Sequence, residues 1–413
     1  MEDPGIFTGK RIILGVTGSI AAYKAAMIAS RLTQEGALVD VIMTEAATRF
    51  VTPLTFQALT GRPVYTTMWE TETGGGLGTH IAHVGLAHEA DLLVIAPATA
   101  QTLAKLAHGL ADDLLSVTAL AARCPILVAP AMDVGMYSAP ATQANVETLR
   151  ARGVRFAGPA RGRMASGLEG RGRFLEPEEI IGHMRLALAQ NGPLKGRRIV
   201  VTAGPTREPL DPVRFLTNRS SGKQGVALAQ AALEAGADVT LIAGPISEPV
   251  PVGVERVDVL DARSMEQAVL TLATGEQQAD ALIMSAAVSD FRPAEVTQHK
   301  IKKDEGAPSS IKLVRNPDIL LSVAEQAQRP RVTVGFAAES QDVIANAQEK
   351  LARKKLDLIV ANDITAAEAG FEVDTNRVFL ISGAGIEELP LMSKIGVARR
   401  IIAWIAARLE AEA

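Results

Sequence analysis

One pattern occurs twice in this chain and dictates its class of fold. Residues 11–16 form an apolar run, Thr17-Gly18-Ser19 a tight turn, and residues 20–35 a segment whose apolar side chains recur every three or four positions; Gly36 and a second apolar run at 37–44 follow. The same order returns as 198–202, a longer loop, 224–235, Gly236 and 238–243, and RLTQEGALVDVIMT echoes AALEAGADVTLIAG as helix end, glycine and strand. Short continuous apolar runs fit parallel strands buried on both faces, and a helix joining two of them makes a βαβ unit. Two copies predict an α/β chain of two Rossmann-like, doubly wound parallel-sheet domains. Asn191-Gly192-Pro193 breaks the chain between them, so the domains are expected at 1–190 and 191–413.

A length of 413 residues exceeds one ordinary core and supports that division. The net charge of -4 leaves no global footprint for nucleic acid, so any anion site must be a local patch. The single cysteine, Cys124, excludes an internal disulfide and reads as a small packing residue. No apolar run reaches the roughly 18–20 residues of a membrane span, and the N-terminal residues carry no hydrophobic signal core. The expectation is a cytoplasmic protein with neither membrane nor nucleic-acid partner.

In open α/β sheets, ligands sit beyond the carboxyl ends of the strands. The run 92–96 follows a histidine-bearing segment that starts at Thr79, and it ends on Pro97, Ala98 and Thr99. The runs 126–129 and 281–286 end near Asp133 and Asp290. Turns opening a helix, at Gly18 and Ser19 and again at Ser220-Ser221-Gly222, present free N–H groups that suit a phosphate. Neither turn is a GxGxxG or a Walker A motif, because Gln224 stands after Lys223, and taken alone the first turn is equally well read as an empty strand-to-helix turn. Lys300, Lys302, Lys303, Lys312 and Arg315 crowd the segment after Asp290, where a nucleoside triphosphate would need cations. The glycine-rich stretches TETGGGLGTH and GPARGRMASGLEGRGRF are expected as a mobile loop and a substrate-covering flap, and residues 101–121 as a helical segment.

With these residues in hand, the chain resembles the fused phosphopantothenoylcysteine decarboxylase and phosphopantothenate–cysteine ligase family of coenzyme A biosynthesis. The likeness rests on VTGSIAAYK, His83-Val84-Gly85-Leu86, APATA and PAMDVGMY in the first half. In the second it rests on VTAGPTREPLDPVRFLTNRSSGKQG, AAVSDFRP, KIKK, NPDIL and GFAAE. It implies a flavodoxin-like first domain that binds FMN through Gly18, Ser19, Ile20, Thr44, Phe50, Pro97, Ala98 and Thr99, with His83 as catalytic base. The flavin would take a hydride from the thiol side of the substrate, creating the electron sink that lets CO2 leave, and then return it. For the second domain it implies CTP, 4'-phosphopantothenate and cysteine as substrates, Mg2+ with the triphosphate, and an acyl-cytidylate intermediate. Asn218 and Lys300 would be catalytic there, and Ala286, Asp290, Lys300, Pro317, Asp318, Ile319, Leu320, Phe336, Lys350 and Lys354 would contact the nucleotide. It also implies a homo-oligomer, a dodecamer of first-domain trimers and second-domain dimers.

Two positions depart from that family's pattern. Asp133 stands where many members have Asn and would repel a substrate carboxylate, so it is expected to be protonated or neutralised by Arg161 or Arg163. Ser166 stands where many members carry the cysteine that protonates the enethiolate, and a hydroxyl is a far weaker acid than a thiol of pKa about 8.5. Two other readings stay open on the residues: a ligase fused to a weak or silent decarboxylase, and a non-catalytic flavin- or nucleotide-binding regulatory scaffold. Two NAD(P)-type domains are disfavoured by the missing GxGxxG.

Overall fold

Alternating side chains along the first strands divide one sheet between two cores. A computed structural model describes residues 4–69, 82–302, 310–339, 342–363 and 373–411, which fall into two compact units, Pro4–Gln190 and Asn191–Ala413. The first unit contains β1 (Arg11–Val16), β2 (Leu38–Met43), β3 (Val64–Tyr65), β4 (Leu92–Ala98), β5 (Ile126–Pro130) and β6 (Arg155–Phe156). They form a single sheet in the order β3-β2-β1-β4-β5-β6, with every neighbouring pair parallel. Ile12, Leu14 and Val16 pack on one face against Ile28 and Leu32 of helix Ala22–Gln34 and Ile180 and Met184 of helix Pro177–Leu188. Ile13, Leu93 and Ile95 pack on the other against Leu103, Leu115 and Val146. Both faces are therefore dry, as parallel strands require.

The second unit repeats the plan with β7 (Arg198–Ala203), β8 (Asp238–Ala243), β9 (Glu255–Asp258), β10 (Ala281–Met284), β11 (Val332–Glu339), β12 (Leu358–Asp363), β13 (Val378–Ser382) and β14 (Gly385–Glu388). Its order is β9-β8-β7-β10-β11-β12-β13-β14, parallel as far as β12 and antiparallel for the last two strands. Read from the first strand of each unit, the order is the same. The outermost strand, β14, is exposed along its whole length; its Glu387 pairs with Arg400, and its Glu388 with Arg377.

Two expectations change. Residues 101–121 form two helices, Ala100–His108 and Leu114–Ala121, because Gly109 ends the first in the left-handed region and Asp113 starts the second with a capping box to Ser116. The run 158–174 is an ordered antiparallel hairpin, Ala160–Arg163 with Glu169–Arg173. Two of its glycines serve close approach: a Cβ on Gly170 would lie 2.5 Å from Val134, and one on Gly172 would lie 2.4 Å from the Met132 carbonyl oxygen. The other glycine-rich run, TETGGGLGTH, lies outside the described residues, as does Lys303. Among the described residues no helix is long and apolar enough to cross a membrane.

Helix Lys223–Glu234 lies close on β7 because Gly225 has no side chain; a Cβ there would stand 2.4 Å from that of Ala203 and 2.9 Å from Ser285 Oγ. Gly225→Ala should destabilise the second unit by about 1–3 kcal/mol through overpacking. A lowered midpoint for that unit in urea unfolding of the full chain checks it, and an unmoved midpoint would show that the helix lifts without cost.

Candidate functional site

In each unit the strand order reverses beside the first strand, and the crevice at that reversal can admit a ligand. In the first unit it lies between β1 and β4. Thr17, 1% exposed, ties the two strand ends together: its Oγ1 donates to the Pro97 carbonyl at 2.7 Å and accepts from the Thr99 N–H at 3.2 Å. Gly18 is set by contact, since a Cβ would stand 2.5 Å from that of Ala46. Ser19 Oγ accepts from the Ala21 N–H at 3.3 Å, and no side chain caps the helix that follows. Thr44 caps helix Glu45–Thr48, and Thr99 caps helix Ala100–His108. Ile20 and Phe50 are exposed, whereas Ala98 is fully buried and offers only backbone. His83 is half-buried on helix Ala82–Glu89, one turn before buried Leu86 and Ala87.

The hairpin brings together two residues 33 positions apart: Ser166 Oγ donates to Asp133 Oδ2 at 2.5 Å. Asp133 Oδ1 also accepts from the Gly135 N–H at 3.0 Å, capping helix Val134–Ser138. The Ser166 hydroxyl, with the Gly135 N–H, holds the Asp133 carboxyl below the ordinary carboxylate range. Against the expectation of a protonated or arginine-paired Asp133, its contacts are the Ser166 hydroxyl and the Gly135 N–H, both of which favour the charged form, and among the described residues neither Arg161 nor Arg163 forms an ion pair with it.

The second unit carries a cavity of about 890 Å3 at the carboxyl ends of β10, β11 and β12, beside the start of helix Lys223–Glu234. Ala286, Asp290, Pro317, Asp318, Ile319, Leu320, Phe336, Lys350 and Lys354 all line it, as does Asn218, whose Nδ2 donates to the Val288 carbonyl at 3.0 Å. Lys354 is salt-bridged to Asp318 at 2.9 Å. Lys300 is exposed and is not on the cavity wall. The neighbouring Ile301 is clamped to buried Asp211, which accepts from the Ile301 N–H at 3.2 Å, while Arg214 donates to the Ile301 carbonyl at 3.0 Å. The Arg214 guanidinium holds the Asp211 carboxyl well below the usual carboxylate range. Among the described residues no group of three or more His, Cys, Asp or Glu is placed to hold a metal ion.

Comparison with known proteins gives two matched families, the DNA/pantothenate metabolism flavoprotein C-terminal domain at residues 194–409 and the flavoprotein family at 4–186. The chain is 47% identical over 395 residues to the coenzyme A biosynthesis bifunctional protein CoaBC of Vibrio cholerae, covering 95% of this chain and 97% of that one. It is 46% identical over 406 residues to the CoaBC of Bacillus subtilis, covering 97% and 98%. The chain belongs to the CoaBC family. A crystal structure of a CoaBC C-terminal domain is 40% identical with a TM-score of 0.46, covering 54% of this chain and all of that one. As a CoaBC family member the chain is a bifunctional enzyme of coenzyme A biosynthesis with decarboxylase and ligase activities, and it contains a flavoprotein domain.

Sequence reasoning missed Thr17, which reads as an ordinary turn residue until its two partners across the sheet are seen. It also missed Lys223, Asn362, Asn376 and Lys394 on the cavity wall, and noted Gln224 only as a departure from Walker A. Lys394 opens the last helix in a stretch that reads as a surface start, yet it is 6% exposed.

The Asp133–Ser166 contact gives a pH expectation. Because the folded value of Asp133 is depressed, the contact stabilises the fold above the unfolded value of about 3.9 and is lost as pH falls through the folded value. Ser166→Ala should raise the Asp133 titration toward about 3.9. Carbon-detected NMR of the side-chain carboxyl reads this, and an unmoved titration would mean that the hydroxyl does not hold the charge.

Proposed function

We propose that the Pro4–Gln190 unit decarboxylates 4'-phosphopantothenoylcysteine with FMN, and that the Asn191–Ala413 unit makes that compound from 4'-phosphopantothenate, cysteine and CTP. The observation that carries the reading is the second unit's cavity, whose wall gathers Asn218 and the positions at which relatives would be expected to hold a nucleotide. The CoaBC names of relatives matched over nearly the whole chain support it.

The first-unit crevice is read as a flavin-phosphate site because no side chain caps the helix after Gly18 and Ser19, leaving the positive end of its dipole for an anion, while its Ala22 and Lys24 N–H groups bond to the Ser19 and Ala21 carbonyls. FMN, when bound, would accept and return a hydride and so provide the electron sink for decarboxylation. Gly18, Ser19, Ile20, Thr44, Phe50, Pro97, Ala98 and Thr99 would line it, with Thr17 holding the Pro97 and Thr99 backbones in place. His83 would take the proton from the substrate thiol. Ser166 would relay a proton from water to the enethiolate carbon, with Asp133 Oδ2 fixing its hydroxyl. That same hydrogen bond favours a second reading, a working ligase beside a slow decarboxylase, because the Ser166 proton is already engaged by Asp133.

In the second unit, the phosphopantothenate carboxylate would attack the α-phosphate of CTP, releasing pyrophosphate. The cysteine amine would then form the amide bond and displace CMP, with one proton leaving the nitrogen. Lys350 and Lys354 would meet phosphate charge, Asn218 would hold the acyl-cytidylate, and Lys300 would be brought to the α-phosphate. Mg2+ would ride on the triphosphate oxygens, as it commonly does with few protein ligands. The assembly would be a dodecamer of first-unit trimers and second-unit dimers.

Single turnover of phosphopantothenoylcysteine, followed by mass spectrometry and flavin absorbance, tests the first half. Phosphopantetheine with CO2 supports full decarboxylation; a product two mass units lighter, with reduced flavin left behind, means the final protonation fails. For the second half, Asp211→Ala should release the Lys300 segment and lower the ligation kcat by about ten- to a hundredfold, leaving decarboxylation unchanged. Equal loss in both activities would instead indicate general misfolding.

A further inference from the structure

The strand register of the first unit's hairpin sorts its charges. Arg163 stands opposite Glu169, and Arg173 pairs with Glu176 at 2.8 Å. Arg161 instead stands opposite Arg171. Residues directly opposed in an antiparallel pair project to the same face, and like charges there are destabilising. Both arginines are exposed, and among the described residues neither joins an ion pair. Asp133, for which Arg161 was a candidate partner, takes the Ser166 hydroxyl and the Gly135 N–H instead, so that guanidinium is left uncommitted.

The pair is tied to the site beside it. The Arg171 guanidinium lies over the Tyr137 ring, 6.0 Å from its centroid. Tyr137 is 5% exposed and belongs to helix Val134–Ser138, which Asp133 caps and on which the hairpin tip rests through Ser166. One short helix thus anchors both the Asp133–Ser166 contact and Arg171. Two neighbouring guanidinium forks offer several donors in fixed planes, which suits the oxygens of a phosphate monoester. Arg161 and Arg171 each lie five residues from Ser166, a reach of at most ~17 Å. From its phosphorus to its cysteine Cα, 4'-phosphopantothenoylcysteine has about eleven bonds, nearly four residues' worth of backbone, or ~13 Å when extended.

We propose that Arg161 and Arg171 hold the 4'-phosphate of the decarboxylation substrate, whose cysteinyl end lies at Asp133 and Ser166. The inference rests on the reading of this unit as a phosphopantothenoylcysteine decarboxylase. With the flavin phosphate assigned to the start of helix Ala22–Gln34, the substrate's phosphate is the one still without a partner. A bound dianion offsets the repulsion between the two arginines, and it lets a group remote from the breaking bond select the substrate.

The test compares decarboxylation of 4'-phosphopantothenoylcysteine and of dephosphorylated pantothenoylcysteine by the full, FMN-loaded chain. In the double variant Arg161→Gln with Arg171→Gln, kcat/KM for the phosphorylated compound should fall about tenfold or more, the size of lost charge-assisted hydrogen bonds. The value for the dephosphorylated compound should hold. Arg173→Gln removes the same charge from an arginine already paired with Glu176, and it should leave the ratio of the two compounds unmoved. An unchanged ratio in the double variant, or an equal loss for both compounds, would overturn the proposal. So would a loss of bound flavin, which would give the pair to the cofactor's phosphate. Titration of each compound into the chain, followed by the shift of the flavin absorption band, reads the first unit alone and needs no turnover. A wild-type chain that binds both compounds but decarboxylates neither sinks the decarboxylase reading. Its phosphate preference, present in the wild type and lost in the double variant, still decides the arginine pair.

Discussion

Parallel strands have to be covered on both faces, and the rest of this structure follows from that requirement. Once helices occupy both faces of each sheet, the strand ends are what remains open, and the opening is widest where the chain reverses its winding direction. The first unit places Thr17, Pro97 and Thr99 there, and the second places Asn218, Ala286 and the Pro317–Leu320 turn. One order of strands therefore supplies two unrelated chemistries, distinguished by the loops that follow the strands.

The parts of the fold governed by periodicity were legible. Ile12, Leu14 and Val16 alternate with Ile13 across the sheet, and such runs can be read from their composition and from the glycine that precedes the next strand. Cys124 likewise sits with the core of the second face of its sheet, and burial pushes its thiol up, as a packing residue should behave. What was not legible depended on partners distant in sequence. The hairpin at 160–173 read as a flexible flap because glycine is ambiguous: Gly170 and Gly172 could equally mark freedom or lack of room, and only Val134 and Met132 decide for the latter. Asp133 was misjudged for the same reason, since its charge is held by a hydroxyl 33 residues away and not by the arginines nearby in that hairpin.

The wall that carries the residues proposed for the nucleotide gathers positions read from motif likeness, which carries its residues as a set. The rest of the wall was missed because Gln224, Asn376 and Lys394 belong to three separate segments, none with a signature. Gln224 joins the other two, spanning 152 residues to one partner and 170 to the other. A lysine at the head of an amphipathic helix has no sequence mark of burial.

The exposed last strand, β14, has a consequence for how the molecule behaves in a crowded solution. A sheet ending on a bare strand offers unpaired amides and carbonyls to any extended chain that meets it. Here the rim carries Glu387 and Glu388, each tied to an arginine of its own unit, on a strand of four residues. A newcomer would have to lie along a short row of engaged charges. Those engaged charges, on so short a strand, work against a ninth strand adding to the sheet.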